Sequence, residues 1–378
     1  MISSRQRTIY AALFCWIFFL QGTLSSLIAH TDSFINELSY EGITSKQYGL
    51  FFLSLGLGAA ISAFLSGRYA QKNGCSGLYK LGIGCHLFAF YLIGMLFLAL
   101  SSPLLSLSLF IAALFFWGIG FGVLISISSA FTFYYFSKRP ESAFIFFYAF
   151  FGLGGFIALI PSAYIWIFIL FAILSYGALF LLLDYFEMYQ TIFVTHSIQR
   201  PLKGVWSLLL ALFLFGLYIS LIFNWPVYQS EESHKISPYL QSGVTVVGRC
   251  LTALFLYWIS FRTLYWALPL LLFLNTILIP FAEGIWHSIL TYSIYLIFSG
   301  IWALLLCFGI REFPFQRFDV AGKTVAASAV GYGLAAFVLS DLLHGVKPSS
   351  MTLAILTGVL TFSTLVLNVI SLREMRHE

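Results

Sequence analysis

The sequence predicts an all-α polytopic membrane protein: twelve transmembrane helices arranged as two pseudo-symmetric six-helix bundles. Three observations lead there: an apolar composition, a strict alternation of basic residues between apolar runs, and an internal echo between the two halves. The chain has 378 residues, of which 60% are apolar, 19% aromatic and only 9% charged. A soluble domain carries about a quarter of its residues as charges, so hydrocarbon must be the solvent here. One spanning helix needs about 20 apolar residues. At this chain length twelve spans and their connections leave no room for a further soluble domain.

Apolar runs bounded by charge or turn residues fall near 8–29, 48–67, 78–100, 104–130, 142–160 and 163–184. Six more follow near 204–226, 239–260, 263–282, 287–310, 320–340 and 350–372. Arg5 and Arg7 before the first run have the look of a secretory leader, but no small-x-small cleavage site follows. The first run is therefore read as a retained helix. The weakest boundary lies at Ile160 and Pro161, where the fifth and sixth runs meet with little polar sequence between them.

Basic residues test this count, because cytoplasmic loops retain Lys and Arg. With the N-terminus inside, fifteen of the 19 basic residues fall in cytoplasmic segments. Only Lys46, Lys235 and Lys347 fall on the opposite face, and Arg249 alone sits within a span. A miscounted helix would scramble that alternation. Both termini are thus expected in the cytoplasm, in a bacterial inner (plasma) membrane. The formal charge of +5 is dispersed among loops and forms no patch for a nucleic acid. Cys15, Cys85, Cys250 and Cys307 lie in apolar runs and Cys75 in a basic loop, without ligand spacing, so they are read as packing residues and no metal or cofactor is expected.

The longest cytoplasmic loop, 185–203, divides the chain into an N-terminal bundle (1–184) and a C-terminal bundle (204–378). At a fixed offset, Phe19 through His30 agrees with Phe213 through Asn224 at six of twelve positions, including Gly22 with Gly216 and Ser26 with Ser220. A weaker echo pairs Gly58 through Ala63 with Gly248 through Ala253. Such repeats point to a duplicated transporter frame.

The loop after the second span reads Gly67-Arg68-Tyr69-Ala70-Gln71-Lys72-Asn73-Gly74. It resembles the gating loop of the major facilitator superfamily, and within it the fucose-permease-like branch, with Gln71 where the family has an acid. The fourth span carries Gly118-Ile119-Gly120-Phe121-Gly122 and leads to Ser137-Lys138-Arg139-Pro140. Phe151-Gly152-Leu153-Gly154-Gly155, Val247-Gly248-Arg249 and Ser328 through Gly333 complete the likeness, which spans nearly the whole chain. The resemblance implies a gating role for Gly67, Gln71, Lys72 and Gly74, and a cavity lined by spans 1, 4, 7 and 10. Symporters of that branch place carboxylates in spans 1 and 4. Here those stretches hold Gln21, Ser25 and Ser26, and Ser126, Ser128 and Ser129, so coupling through a buried carboxylate is not expected, nor is a charge-based latch at Gln71.

Arg249 stands apart because a cation at mid-membrane costs at least about 2.5–3.5 kcal/mol unless compensated. It is read either as a ligand for an anionic or hydrogen-bond-accepting substrate group, or as a structural Arg bonded to neighbouring helices. Gln21 with Ser25, and Ser220 with Asn224, share helix faces at a spacing of four, and Trp225 adjoins the second pair. Thr291, Tyr295, Ser299 and Trp302 form one stripe on the tenth span, and Tyr332 lies in the eleventh. The candidate substrate residues are therefore Gln21, Ser25, Asn224, Trp225, Arg249, Tyr295, Trp302 and Tyr332, each also explicable as interhelical bonding or interfacial anchoring. Gly118, Gly122 and Ser126 recur every fourth residue and are read as a packing stripe. Glu283 and His287 are set to pair if the tenth helix begins early enough, and His86 has no nearby acid.

The expected function is alternating-access transport, secondary active or facilitative, of a sugar-like polar solute or a small organic anion by a monomer. The alternatives are an integral-membrane enzyme acting on a lipid-linked substrate, a passive channel, or efflux of amphipathic compounds. Against the enzyme, the acids are scattered and form no catalytic cluster.

Overall fold

Every backbone polar group within hydrocarbon must be satisfied inside its own segment, which makes apolar runs of this length helical. A computed structural model of the chain describes residues 4–29, 45–73, 75, 77–96, 103–136, 138–158, 165–182, 205–224, 238–342 and 350–374. These form twelve α-helices: α1 (Ser4–Ala29), α2 (Ser45–Asn73), α3 (Leu78–Leu96), α4 (Pro103–Tyr135), α5 (Pro140–Ala158), α6 (Ile165–Leu182), α7 (Val205–Asn224), α8 (Pro238–Phe255), α9 (Phe261–Leu278), α10 (Gly284–Glu312), α11 (Arg317–Leu342) and α12 (Ser350–Glu374). No strand occurs among the described residues. Eight helices are long and apolar enough to cross a membrane, and α6, α7 and α8 contribute the shorter apolar stretches Ile169–Leu182, Val205–Leu221 and Leu240–Phe255.

Local chemistry sets several boundaries. Pro103, Pro140 and Pro238 open their helices, where the missing N–H is no loss. The Ser260 hydroxyl caps α9 by accepting from the Thr263 N–H at 3.1 Å, which allows α8 to turn into α9 within a few residues. Gly77, at φ +81°, makes the turn before α3 in a conformation that a side chain would strain. α10 begins at Gly284, itself at φ +56° with Glu283 as its N-cap, so Glu283 stands outside the helix and the expected pairing with His287 does not form. The join at Ile160 and Pro161 and the loop 185–203 lie outside the described residues.

Burial sorts the helices into central and lipid-facing. From Val123 to Thr132 every residue of α4 is buried, whichever side it faces, so α4 is surrounded by protein. α6 instead exposes Ile167, Leu170, Leu174 and Leu181, the surface expected against lipid chains. The packing stripe on α4 is as expected. A Cβ on Gly118 would meet the Leu55 carbonyl at 2.2 Å and one on Gly122 the Ala59 carbonyl at 2.2 Å, while the Ser126 and Ser66 hydroxyls bond at 3.2 Å.

The two halves are built alike. α1 packs on α5 as α7 packs on α11, α2 on α4 as α8 on α10, and α3 on α4 and α6 as α9 on α10 and α12. The repeat also holds at single residues. Gly22 abuts the Phe151 carbonyl and Gly154 the Phe19 carbonyl; in the second half Gly216 abuts the Ser328 carbonyl and Gly331 the Phe213 carbonyl. The offset that aligned Phe19 with Phe213 and Gly22 with Gly216 therefore corresponds to two equivalent helix crossings. The weaker echo holds as well: Gly58 abuts the Phe115 carbonyl of α4, and Gly248 the Leu296 carbonyl of α10.

Candidate functional site at the junction of the two halves

Two seams join the first six helices to the last six. Along the first, α2 and α11 meet backbone to backbone. A Cβ on Gly67 would stand 2.9 Å from Gly322 Cα, and one on Gly56 would stand 3.0 Å from Gly333 Cα. These glycine pairs lie three turns apart, about 16 Å along the helix axis. The Phe52 and Tyr332 rings, 5.8 Å apart, cover the end of the seam near Ser45 and Leu342.

At the face bearing the helix ends near both termini, polar contacts close the junction. Gln71 Nε2 donates to the Phe315 carbonyl at 2.8 Å, and Arg317 Nη1 to the Phe133 carbonyl at 3.2 Å while its guanidinium lies 4.9 Å from the Tyr134 ring centre. Phe318 packs on Phe131 and Tyr134 beside them. Arg311 of α10 reaches Glu141 of α5 at 3.1 Å, and Arg139 stacks 4.1 Å from the Tyr257 ring centre. In the loop expected to gate, the amide of Gln71 thus bonds across the junction. The loop's Gly67 is the close-approach residue against α11, Lys72 is exposed at the end of α2, and Gly74 lies outside the described residues.

The second seam joins α5 and α8. Ser142 donates to the Ala253 carbonyl at 3.0 Å, and further into the molecule Arg249 reaches across. Its Nη1 donates to the Tyr148 carbonyl of α5 at 2.8 Å, and its Nε makes a longer contact of 3.4 Å to the Ser299 carbonyl of α10. The side chain is buried, with the guanidinium carbon 5.4 Å from the Phe151 ring centre. Gly152 leaves it space, because a Cβ there would stand 3.1 Å from Nη1. Aromatic rings surround the group. Trp302 meets Tyr148 edge-on at 4.9 Å and Phe151 at 6.4 Å, and Phe121 meets Phe151 at 6.1 Å. The Tyr148 hydroxyl lies 3.4 Å from Ser129 of α4, and Phe18 of α1 packs on its ring. Five helices, α1, α4, α5, α8 and α10, thus converge on one cation and its aromatic surround.

Of the sequence-derived candidates, Arg249 and Trp302 come together here. Ser299, of the same stripe, supplies a carbonyl, while Tyr295 is buried one turn away against Phe298. Tyr332 sits at the α2–α11 seam. Gln21 is fully buried and donates to the Tyr176 hydroxyl of α6 at 2.8 Å; the Tyr176 ring stacks on His86 at 4.8 Å, so this is a polar node inside the first half. Its ring is admitted by Gly120, where a Cβ would overlap the imidazole at 1.9 Å. The side chains of Ser25 and Asn224, and all of Trp225, lie outside the described residues. Sequence reasoning missed Tyr148, Phe151, Gly152 and Arg317. Only the glycine beside the aromatics in Phe151-Gly152 hints at a close neighbour, and Tyr148 has no marker within its aromatic run.

No family model matches the chain, and no curated protein matches it. Solved structures do. A major facilitator superfamily transporter, FucP, in the outward conformation superposes with a TM-score of 0.74 at 15% identity, covering 97% of this chain and 99% of that one. The E. coli fucose:proton symporter FucP, in a variant form, gives 0.73 at 14% identity with the same coverage. The human organic anion transporter MFSD10 (TETRAN) gives 0.70 at 14%, covering 97% of this chain and all of that one. The fold is therefore that of the major facilitator transporters, two pseudo-symmetric six-helix bundles in a multi-pass membrane protein.

Proposed function

We propose that this protein is a member of the major facilitator superfamily that moves a small solute across the membrane by alternating access, as a secondary active or facilitative transporter. One observation carries the reading: a cation in an aromatic surround, reached by helices of both halves, at the junction about which such halves rock. The bundles are 1–184 and 204–378, linked by the loop 185–203. The distribution of basic residues supports a cytoplasmic position for both termini, in a bacterial inner membrane. The contacts of Gln71, Arg317, Ser142 and Glu141 then form a closed inner gate. The substrate site centres on Arg249 and Trp302, with Tyr295, Tyr332, Gln21, Ser25, Asn224 and Trp225 as further candidates. The solute is a sugar-like polar compound or a small organic anion. The neighbours' described activities, fucose:proton symport and organic anion transport, fall in these two classes. The protein is not an enzyme on this reading, works as a monomer and needs no cofactor. No carboxylate lies at mid-membrane in the sequence, so any proton coupling takes a route other than a buried acid.

Purified protein in liposomes, loaded with a panel of labelled solutes, tests the proposal. Uptake that saturates with solute concentration is expected. Turnover of a lipid-linked substrate with no solute flux would overturn it in favour of a membrane enzyme.

A further inference from the structure

We propose that Arg249 is an exchangeable strut: it ties α8 to α5 through the Tyr148 carbonyl, and gives up that carbonyl to an oxyanion, carboxylate or phosphate, of the transported solute. The inference rests on the transport reading above and adds to it the chemical class of the substrate and the event that links binding to movement.

The acceptors define the first step. A guanidinium has five N–H donors and stays charged. Here its contacts are main-chain carbonyls, one at 2.8 Å and one at 3.4 Å. Among the described residues the ion pairs are Arg311 with Glu141 and Glu312, and Lys323 with Asp319; none meets Arg249. A buried cation held by neutral acceptors has charge-assisted bonds but no counter-charge, whereas a bidentate oxyanion adds direct Coulombic attraction to the hydrogen bonds. An arriving oxyanion is the better partner, and neutralising the charge removes much of the cost of keeping it in the membrane interior.

The second step concerns what is lost on exchange. Tyr148 lies in the interior of α5, where its carbonyl already accepts from an N–H one turn on, so Arg249 occupies only a second lone pair. Departure of the guanidinium leaves that carbonyl satisfied and the helix intact. The bond across the seam is the one given up. Gly152 packs directly on Nη1, where a Cβ would stand 3.1 Å away and 3.0 Å from Val246 Cγ2, so an oxyanion binds by taking the place of the Tyr148 carbonyl, with the rings of Phe151 and Trp302 beside it.

Position supplies the third. Of the described polar contacts along the α5–α8 seam, Arg249 to Tyr148 lies deepest and Ser142 to Ala253 nearest the closed face. Removing the deeper one leaves the seam held at its end, so that solute binding weakens the gate without opening it outright.

Matched probes test this on the full-length protein in liposomes: lactate against lactamide, gluconate against glucose, and inorganic phosphate. At least one anion should bind the wild type about tenfold or more tightly than its neutral counterpart, read as a concentration-dependent shift in thermal unfolding. Arg249→Gln should abolish that preference. Hydrogen exchange should speed up near residues 138–145 and 253–260 when the anion binds. The acid-against-neutral comparison needs no variant, so it stands even if Arg249→Gln fails to insert. Equal binding of both members of each pair, or an anion preference that survives in Arg249→Gln, overturns the inference. So does anion binding with unchanged exchange at the seam. If neutral solutes accumulate in vesicles and anions do not, transport stands and this inference falls; if neither class moves, the transport reading falls and takes the inference with it.

Discussion

The α2–α11 and α5–α8 seams occupy equivalent places in the pseudo-symmetric frame, yet their materials differ. The first is made of main chain on main chain, with Gly56 against Gly333 and Gly67 against Gly322. The second is held by side chains that donate across it: Ser142 to Ala253, and Arg249 to Tyr148. Equivalent positions show where the symmetry breaks, since the offset that pairs Gly58 with Gly248 places Ala59 opposite Arg249. Backbone packing leaves no room to adjust, whereas a hydrogen bond can be made or broken by a competitor. The comparison teaches that one seam is suited to act as a fixed axis and the other as a releasable catch.

The largest effect should come from filling the glycine seam. Gly67→Leu drives a side chain into the Phe318 carbonyl and Gly322 Cα, neither of which can turn aside, and should cost at least about 3 kcal/mol. Loss of a monodisperse, cooperatively unfolding species would register it. Arg249→Ala should behave in the opposite manner: the carbonyls it leaves remain satisfied in their helices, so stability changes by about 1 kcal/mol while uptake falls at least about tenfold. A collapse in stability equal to that of Gly67→Leu would erase the distinction between the seams. Arg249→Lys keeps the charge but loses the planar fork, and should show intermediate uptake.

Smaller effects sharpen the picture at the face that bears Glu141 and Arg311. Glu141→Gln removes one of the two acidic partners of Arg311, whose side chain is 37% exposed, so the expected change is under about 1 kcal/mol, visible chiefly as faster hydrogen exchange at the start of α5. Cys75 offers a reporter of least perturbation. It lies in the turn between α2 and α3, and burial pushes its thiol up to about 12, so the reactive thiolate is absent at neutral pH. Maleimide should label it slowly in the wild type and quickly in Gly67→Leu, where the end of α2 is displaced.

Much of the frame was legible in the sequence, because hydrophobic length and basic-residue placement are the quantities a bilayer selects. Where boundaries shifted, the ends project into water and hydropathy is blind to them: α2 runs from Ser45 to Asn73 against an expected 48–67, and α4 continues to Tyr135 against 130. The Glu283–His287 pairing required an early helix start, and α10 starts only at Gly284, whose left-handed φ leaves Glu283 outside the helix. The candidate site was half legible. Arg249 declared itself as a charge in an apolar run, but its acceptors are main-chain carbonyls, which every residue possesses and no sequence marks. The partner of Gln71, the Phe315 carbonyl, was hidden in the same way. Gln21 was misleading for another reason. A helix face is legible from spacing, but which neighbour that face meets depends on packing, and here it meets Tyr176 of α6.

That the acceptor for Arg249 is a piece of main chain has an evolutionary corollary. No substitution at position 148 can delete that acceptor, so the bond itself does not depend on which side chain stands there, although the packing around it does. What the contact cannot survive is a change of phase: one residue inserted into α5 ahead of Tyr148 turns the following carbonyls by about 100° around the helix. Selection on this contact would appear as intolerance of insertions and deletions within α5, a signature that scanning by single substitutions would overlook.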